Sequence, residues 1–322
     1  MIITHRPRRL RNSGSIRELM QEFSLRPKDL IQPLFVVEGK NKKQKIEGLG
    51  DNCRLSIDNL VKKVEHLYSL GIRAILLFPC IDTKLKNDYA PEAINPDNLI
   101  CRAIKDIKNK VPQMIICGDV ALDPYTIHGH DGILTKDGKD IDNDTTLSIL
   151  TRQAKILAVA GADIVCPSDM MDGRVDSIRN NLEEYGLINT KIASYATKYA
   201  SNLYGPFRAA LGVEKLTGPV NKKTYQMDFS NKKEALIEAE LDIAEGSDIL
   251  IVKPAGFYLD IIQDLVGLFP TPIWGYQVSG EYQMIQSMPN ATEIMIENLI
   301  AIKRSGAQNI ICYSAEQIAG LL

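Results

Sequence analysis

Apolar positions along this chain follow two alternating patterns. Short continuous runs, the pattern of strands buried on both faces, occupy residues 30–37, 72–78, 114–120, 163–166, 191–194, 248–252, 272–276 and 309–312. Between them apolar residues recur every three or four positions, as on one face of a helix. Examples are Leu60, Val64 and Leu67, then Leu99, Ala103 and Ile107, then Leu150, Ala154 and Leu157, and later Leu259, Ile262 and Leu265. Gly71, Gly161, Gly186, Gly246 and Gly306 each stand between a helical segment and the next strand, where a left-handed C-cap is expected.

Eight alternating units in roughly 290 residues predict an α/β fold of the (β/α)8 TIM-barrel type. An open doubly wound sheet usually has fewer strands, and the G-x-G-x-x-G phosphate loop it would need here is missing. In a barrel the active site lies at the C-terminal ends of the strands, where Asp119, Ser168, Lys198, Lys253, Ser279 and Tyr313 fall. Residues 1–26 carry Arg6, Arg8, Arg9, Arg11, Arg17 and Arg26 among few apolar residues and cannot build a core. They are expected to form an N-terminal arm for subunit contacts, with residues 27–322 as the barrel domain. The competing reading, a nucleic-acid-binding tail, lacks interleaved aromatic residues.

The charge balance adds little to that alternative. With 38 basic and 40 acidic residues the net charge is -2, which argues against a general polyanion binder. The six cysteines show no paired spacing, and Cys80, Cys117, Cys166 and Cys312 lie within or at the ends of apolar runs, as expected in a reducing compartment. No apolar stretch approaches the ~18 residues of a membrane span, and the N-terminus has no secretory h-region. A cytoplasmic protein is expected.

The candidate chemistry starts at Lys253, which ends the apolar run Ile249-Leu250-Ile251-Val252. A lysine there can snorkel to solvent, or it can be buried and lose its charge. A neutral amine attacks ketones and aldehydes to form Schiff bases. The run beginning at Lys191 also leads into a lysine, Lys198. If the two strands are neighbours, the two ammonium groups repel and at least one is driven toward its neutral form.

The segments VKPAGFYLD, SYATKYASNLYGPFR, PSDMMDGRV, DPYTIHGHDG, TYQMD and QVSGEY resemble, in order and spacing, the porphobilinogen synthase (delta-aminolevulinic acid dehydratase) family. The likeness extends from the arm motif at Arg6–Arg11 to the C-terminus. It implies a hydro-lyase, EC 4.2.1.24, of tetrapyrrole (heme) biosynthesis that condenses two 5-aminolevulinate molecules to porphobilinogen with loss of two waters. It further implies Schiff bases on Lys253, with the first-bound substrate, and on Lys198, with no organic cofactor. Arg208 is implied to hold one substrate carboxylate, with Gln226 nearby. Lys222, where the family has a second arginine, is a weaker match because it offers a point charge without a planar fork; a solvated loop is its alternative. Ser279 and Tyr313 match the hydroxyls for the other carboxylate.

The resemblance also implies an allosteric Mg2+ at Glu238, set against the plain alternative of a solvated helix face, and homo-oligomers, most often octamers. Zinc-dependent members carry three cysteines in the loop after the third strand. This chain has Ala121-Leu122-Asp123 and, later, Asp131, so no catalytic zinc is expected. The aspartates can take a hard cation or act on protons directly. His128 and His130 read as hydrogen-bonded loop residues, there being no third soft ligand beside them. The segment from about Tyr199 to Lys223 is expected to be a lid. Two other readings stand beside this one: another class I aldolase, which would not need the second lysine, and a non-catalytic barrel scaffold.

Overall fold

The computed structural model describes residues 3–212 and 221–322. Ten strands are present among them: β1 (Leu30–Val37), β2 (Lys43–Lys45), β3 (Cys53–Leu55), β4 (Ala74–Cys80), β5 (Ile115–Val120), β6 (Ile164–Pro167), β7 (Lys191–Lys198), β8 (Ile249–Lys253), β9 (Ile273–Tyr276) and β10 (Asn309–Ile311). The order β1-β4-β5-β6-β7-β8-β9-β10 closes through a parallel β10–β1 pairing, giving eight parallel strands in a ring. This is the expected (β/α)8 barrel. β2 and β3 are an addition that the apolar pattern did not disclose: β3 pairs parallel with the end of β1, and β2 pairs antiparallel with β3.

Helices cover the barrel because each offers an apolar stripe. In Ile57–Ser69 the buried residues are Leu60, Val64 and Leu67, spaced four and three apart. Burying each such side chain contributes about 1.5–3 kcal/mol. The five capping glycines all have positive φ, from 70° at Gly186 to 114° at Gly306, so the chain turns left-handed into the next strand as anticipated. The four strand cysteines are free thiols, Cys80 at the end of β4 and Cys117, Cys166 and Cys312 buried. No described helix is long and apolar enough to cross a membrane.

The segment expected to be an arm holds a turn of 3-10 helix at Pro7–Arg11 and a short helix at Gly14–Leu19, neither with a buried residue. Leu10 and Leu19 are exposed.

Candidate active site

The third, fifth and sixth barrel strands carry Asp119, Lys198 and Lys253 to one rim, together with Ser168 just beyond β6. Lys198 and Lys253 are direct partners across the β7–β8 pairing, so the two amines emerge side by side. A β-bulge is needed for this. Ser194 pairs with Leu250, and Leu250 and Lys253 are three apart, hence on opposite faces of β8. Strict alternation along β7 would put Lys198, four after Ser194, on the face away from Lys253. The register shifts by one residue between Ser194 and Thr197, and this turns Lys198 to the same side as Lys253. The carbonyl of Tyr195, inside the bulge, accepts a hydrogen bond from the buried Arg174 guanidinium at 3.3 Å, and Arg174 is held in turn by Asp242 at 3.0 Å.

The two amines have different surroundings. Lys253 Nζ stands among the rings of Tyr276, Phe207, Tyr195 and Tyr204, with centroids 4.6, 4.9, 5.1 and 5.2 Å away. Burial, reinforced by the charge of Lys198, brings its pKa down to about 7. Snorkelling to solvent is thereby excluded for this lysine. Lys198 Nζ donates to the Ser168 carbonyl and lies 3.6 Å from the Asp131 carboxylate.

Three aspartates complete the charge pattern. Burial and the neighbouring Asp123 raise Asp119 to about 7, and its Oδ1 has no hydrogen-bond partner among the described residues. Asp123 is also raised, by burial and then by Asp131. Asp131 goes the other way: burial alone would raise it, but the ammonium groups of Lys198 and Lys222 outweigh that and hold it well below the usual carboxylate range. Lys222 lies 3.0 Å from Asp131 and 3.8 Å from Asp123, with its side chain only 11% exposed. The solvated-loop alternative for Lys222 is therefore overturned; its ammonium neutralises two buried carboxylates. His128 and His130 belong to a hydrogen-bonded loop, where the His130 backbone N–H donates to His128 Nδ1 at 3.2 Å and His130 Nδ1 meets the Tyr225 hydroxyl at 3.1 Å.

These groups line one cavity: Asp119, Asp123, Asp131, Lys198, Lys253 and, from the segment after β7, Arg208, Lys222 and Gln226. Its free volume is about 20 Å³, room for about one water. Phe207 and Phe78 also line it, their rings edge-on at 4.9 Å. Phe207 and Arg208 sit on the short helix Gly205–Ala210, inside the segment expected to be a lid; residues 213–220 of that segment lie outside the described residues.

Ser279 and Tyr313 are at the same rim but do not line this cavity. Ser279 opens the helix Ser279–Gln286, where its Oγ accepts from the Phe207 backbone N–H at 3.1 Å. The Tyr313 hydroxyl meets that of Tyr276 at 3.0 Å, and its ring stacks on Phe35. Glu238 does not line this cavity: it is on the helix Lys233–Ala244, beside a second cavity of about 430 Å³ that Asp172 and Glu234 also line. It is half-buried, and burial raises it to about 7 against the pull of Arg174, with Asp242 and Asp172 adding to the rise.

Sequence reasoning missed the aromatic box around Lys253. Tyrosines near both lysines were visible, but nothing marked Phe207 and Tyr276 as the residues that meet them.

Comparison with known proteins agrees with the geometry. The family model for delta-aminolevulinic acid dehydratase matches residues 4–321. Enzymes of that name from Bradyrhizobium diazoefficiens and Chlamydia pneumoniae are each 47% identical to this chain. The match covers 98% of this chain and 90% of the first relative, and 100% of this chain and 97% of the second. The crystal structure of the Toxoplasma gondii enzyme in complex with its reaction product porphobilinogen superposes with a TM-score of 0.96 at 43% identity, covering 99% of this chain and 92% of that one. With two amines side by side in a buried cavity and relatives matched along nearly their whole length, the chain belongs to the delta-aminolevulinic acid dehydratase family.

Proposed function

We propose that this protein is a porphobilinogen synthase in which Lys253 and Lys198 each form a Schiff base with one 5-aminolevulinate. The observation that carries the reading is the pairing of the two buried lysines, with Lys253 down at about 7. A large fraction of Lys253 is then neutral and nucleophilic at neutral pH. Lys198 is tied to the Ser168 carbonyl and Asp131 and must first be released, so Lys253 takes the first substrate.

Attack by each amine on a ketone expels one water and leaves a carbon that is more electrophilic, with more acidic neighbours. One C–C and one C–N bond then join the two substrates. One lysine is displaced as its amine when the substrate amino group attacks its imine carbon, the other leaves by elimination after the C–C bond forms, and loss of a ring proton gives the pyrrole; the two waters lost are those expelled on imine formation. Asp119 and Asp123, both raised by burial, are placed to carry protons to and from the amino groups and departing water. Arg208 and Gln226 receive one substrate carboxylate; Ser279 and Tyr313 receive the other once Ser279 gives up the Phe207 amide. An aldolase with a single reactive lysine leaves Lys198 unexplained.

The site as described is closed, because two keto acids do not fit where one water does. The helix Gly205–Ala210 therefore serves as a lid that opens for entry and closes to keep bulk water from the imines.

The pH dependence follows from the directions of the shifts. kcat/KM rises as pH increases through about 7, where Lys253 loses its proton, and falls again as Asp119, also near 7, loses the proton it would donate. A bell centred near neutrality is expected, its limbs belonging to the coupled pair. A single rise near pH 10 would show instead that Lys253 behaves as an ordinary lysine.

No catalytic zinc enters this reading. Among the described residues the cavity that holds the lysines is lined by oxygen donors, the carboxylates of Asp119, Asp123 and Asp131 foremost, with no cysteine, and the Lys222 ammonium already supplies the cation between Asp123 and Asp131. For Mg2+ the family resemblance points to Glu238: among the described residues no three acidic, histidine or cysteine side chains converge there as a ligand set, so the ion would be held largely through water, and a divalent cation would favour the ionised form that burial opposes. Its effect would be regulatory. Chelation is expected to lower activity and Mg2+ to restore it, and Mg2+ is expected to raise the melting temperature of the native protein but not of Glu238→Gln. An equal response in both proteins removes the assignment.

Residues 1–26 serve in this reading as an arm between subunits of a homo-oligomer, an octamer by analogy with the family. The uncovered Leu10 and Leu19 side chains support it.

A further inference from the structure

The geometry points to Arg54 as a positioning residue, a latch that holds the lid helix over Lys253 and so sets the places of Phe207 and Arg208. The inference rests on the lid reading above and adds to it the group that keeps the lid shut.

Arg54 is on β3, in the hairpin the barrel pattern does not require, and its backbone is fixed by pairing with Phe35 of β1. Its side chain reaches across 155 residues of sequence: Nε donates to the Ala210 carbonyl at 2.8 Å, and one terminal nitrogen donates to the Ala209 carbonyl. These are carbonyls of the last turn of Gly205–Ala210, where a helix has acceptors without internal partners and a partial negative charge. A six-residue helix is too short to be stable alone, so what holds it must come from outside. At its other end, Ser279 Oγ accepts from Phe207 N–H. Between the two ends Phe207 packs on Phe78 and lies 6.0 Å from Phe35, the residue paired with Arg54.

Arg54 is the cleaner of the two clamps to test. Ser279 also has a proposed role with substrate, whereas Arg54 does not line the cavity and is half-buried. A guanidinium fork suits two adjacent carbonyls; lysine would keep the charge but not the fork.

The test is modification of Lys253 in the resting enzyme by pyridoxal phosphate, an aldehyde too large for the closed cavity, followed by borohydride and peptide mass spectrometry. In Arg54→Ala the labelling rate of Lys253 is expected to rise at least about tenfold, since both charge-assisted hydrogen bonds to the lid helix are lost. Arg54→Lys should fall between, and Phe207→Ala should match or exceed Arg54→Ala. Labelling of the exposed Lys105 should change little in any of them, and the melting temperature little in the two Arg54 variants. Arg54→Ala labelled at the native rate while Phe207→Ala is labelled faster overturns the latch and leaves the lid reading intact. Native rates in both overturn the lid reading and the latch together. A rise shared by Lys105, or a large fall in melting temperature in Arg54→Ala, marks general loosening and also overturns the latch.

Discussion

Replacement of Lys253 by alanine lowers porphobilinogen formation by more than about 10⁴-fold, as for other essential nucleophiles. Nothing else can take its place. Lys198 is engaged by the Ser168 carbonyl and Asp131, and the box of Tyr195, Tyr204, Phe207 and Tyr276 surrounds Lys253 alone. The fold survives the change, because no carboxylate among the described residues is ion-paired with Lys253 and its removal strands no buried partner. Colorimetric assay of the pyrrole measures the loss. Borohydride after incubation with 5-aminolevulinate should trap substrate on Lys253 in the native enzyme. Undiminished turnover in the variant, or no trapping on either lysine in the native protein, ends the Schiff-base reading.

The second large effect is on stability. Asp131 is 2% exposed at its side chain and is the shared counter-ion of Lys198 and Lys222. Asp131→Ala leaves two buried ammonium groups short of an anion, and breaking such a pair from one side costs about 3–5 kcal/mol. The pH dependence has a definite sign. The folded pKa of Asp131 lies below its unfolded value, so its contribution is fully present above the unfolded pKa and is lost as pH falls through the folded one. Chemical denaturation at pH 7 should therefore show the full difference between native and variant proteins, and the gap should narrow only below about pH 4. A variant as stable as the native protein at pH 7 would mean that Asp131 does not neutralise the two lysines.

How far these features could be read in advance depended on their physical origin. The eight barrel strands were legible because a parallel strand covered on both faces must be a continuous apolar run, as Ala74–Cys80 and Ile249–Lys253 are. The hairpin of β2 and β3 was not, since Lys43–Lys45 is wholly exposed and has no apolar face to declare it. Lys253 stood out because it closes such a run. The placement of Lys198 depends on an irregularity in β7 that no residue type announces; alternation alone sends that side chain the wrong way. The environment of Lys222 was hidden for a different reason: its partners Asp131 and Asp123 lie far off in sequence and meet it only when the barrel closes. Glu238 looked like one acid among several on its helix, and only folding set it against Asp172 and Asp242 in a half-buried position.

In the Schiff-base reading, the aromatic rings around Lys253 meet the reacting nitrogen both before and after it takes up a substrate. The free amine at neutral pH is partly uncharged and gains little from the ring faces, whereas a protonated carbon–nitrogen double bond holds its positive charge in place and is attracted to them. In this pocket the walls that exclude water leave the amine free to attack, and their ring faces return part of the solvation that a cation on the same nitrogen lacks.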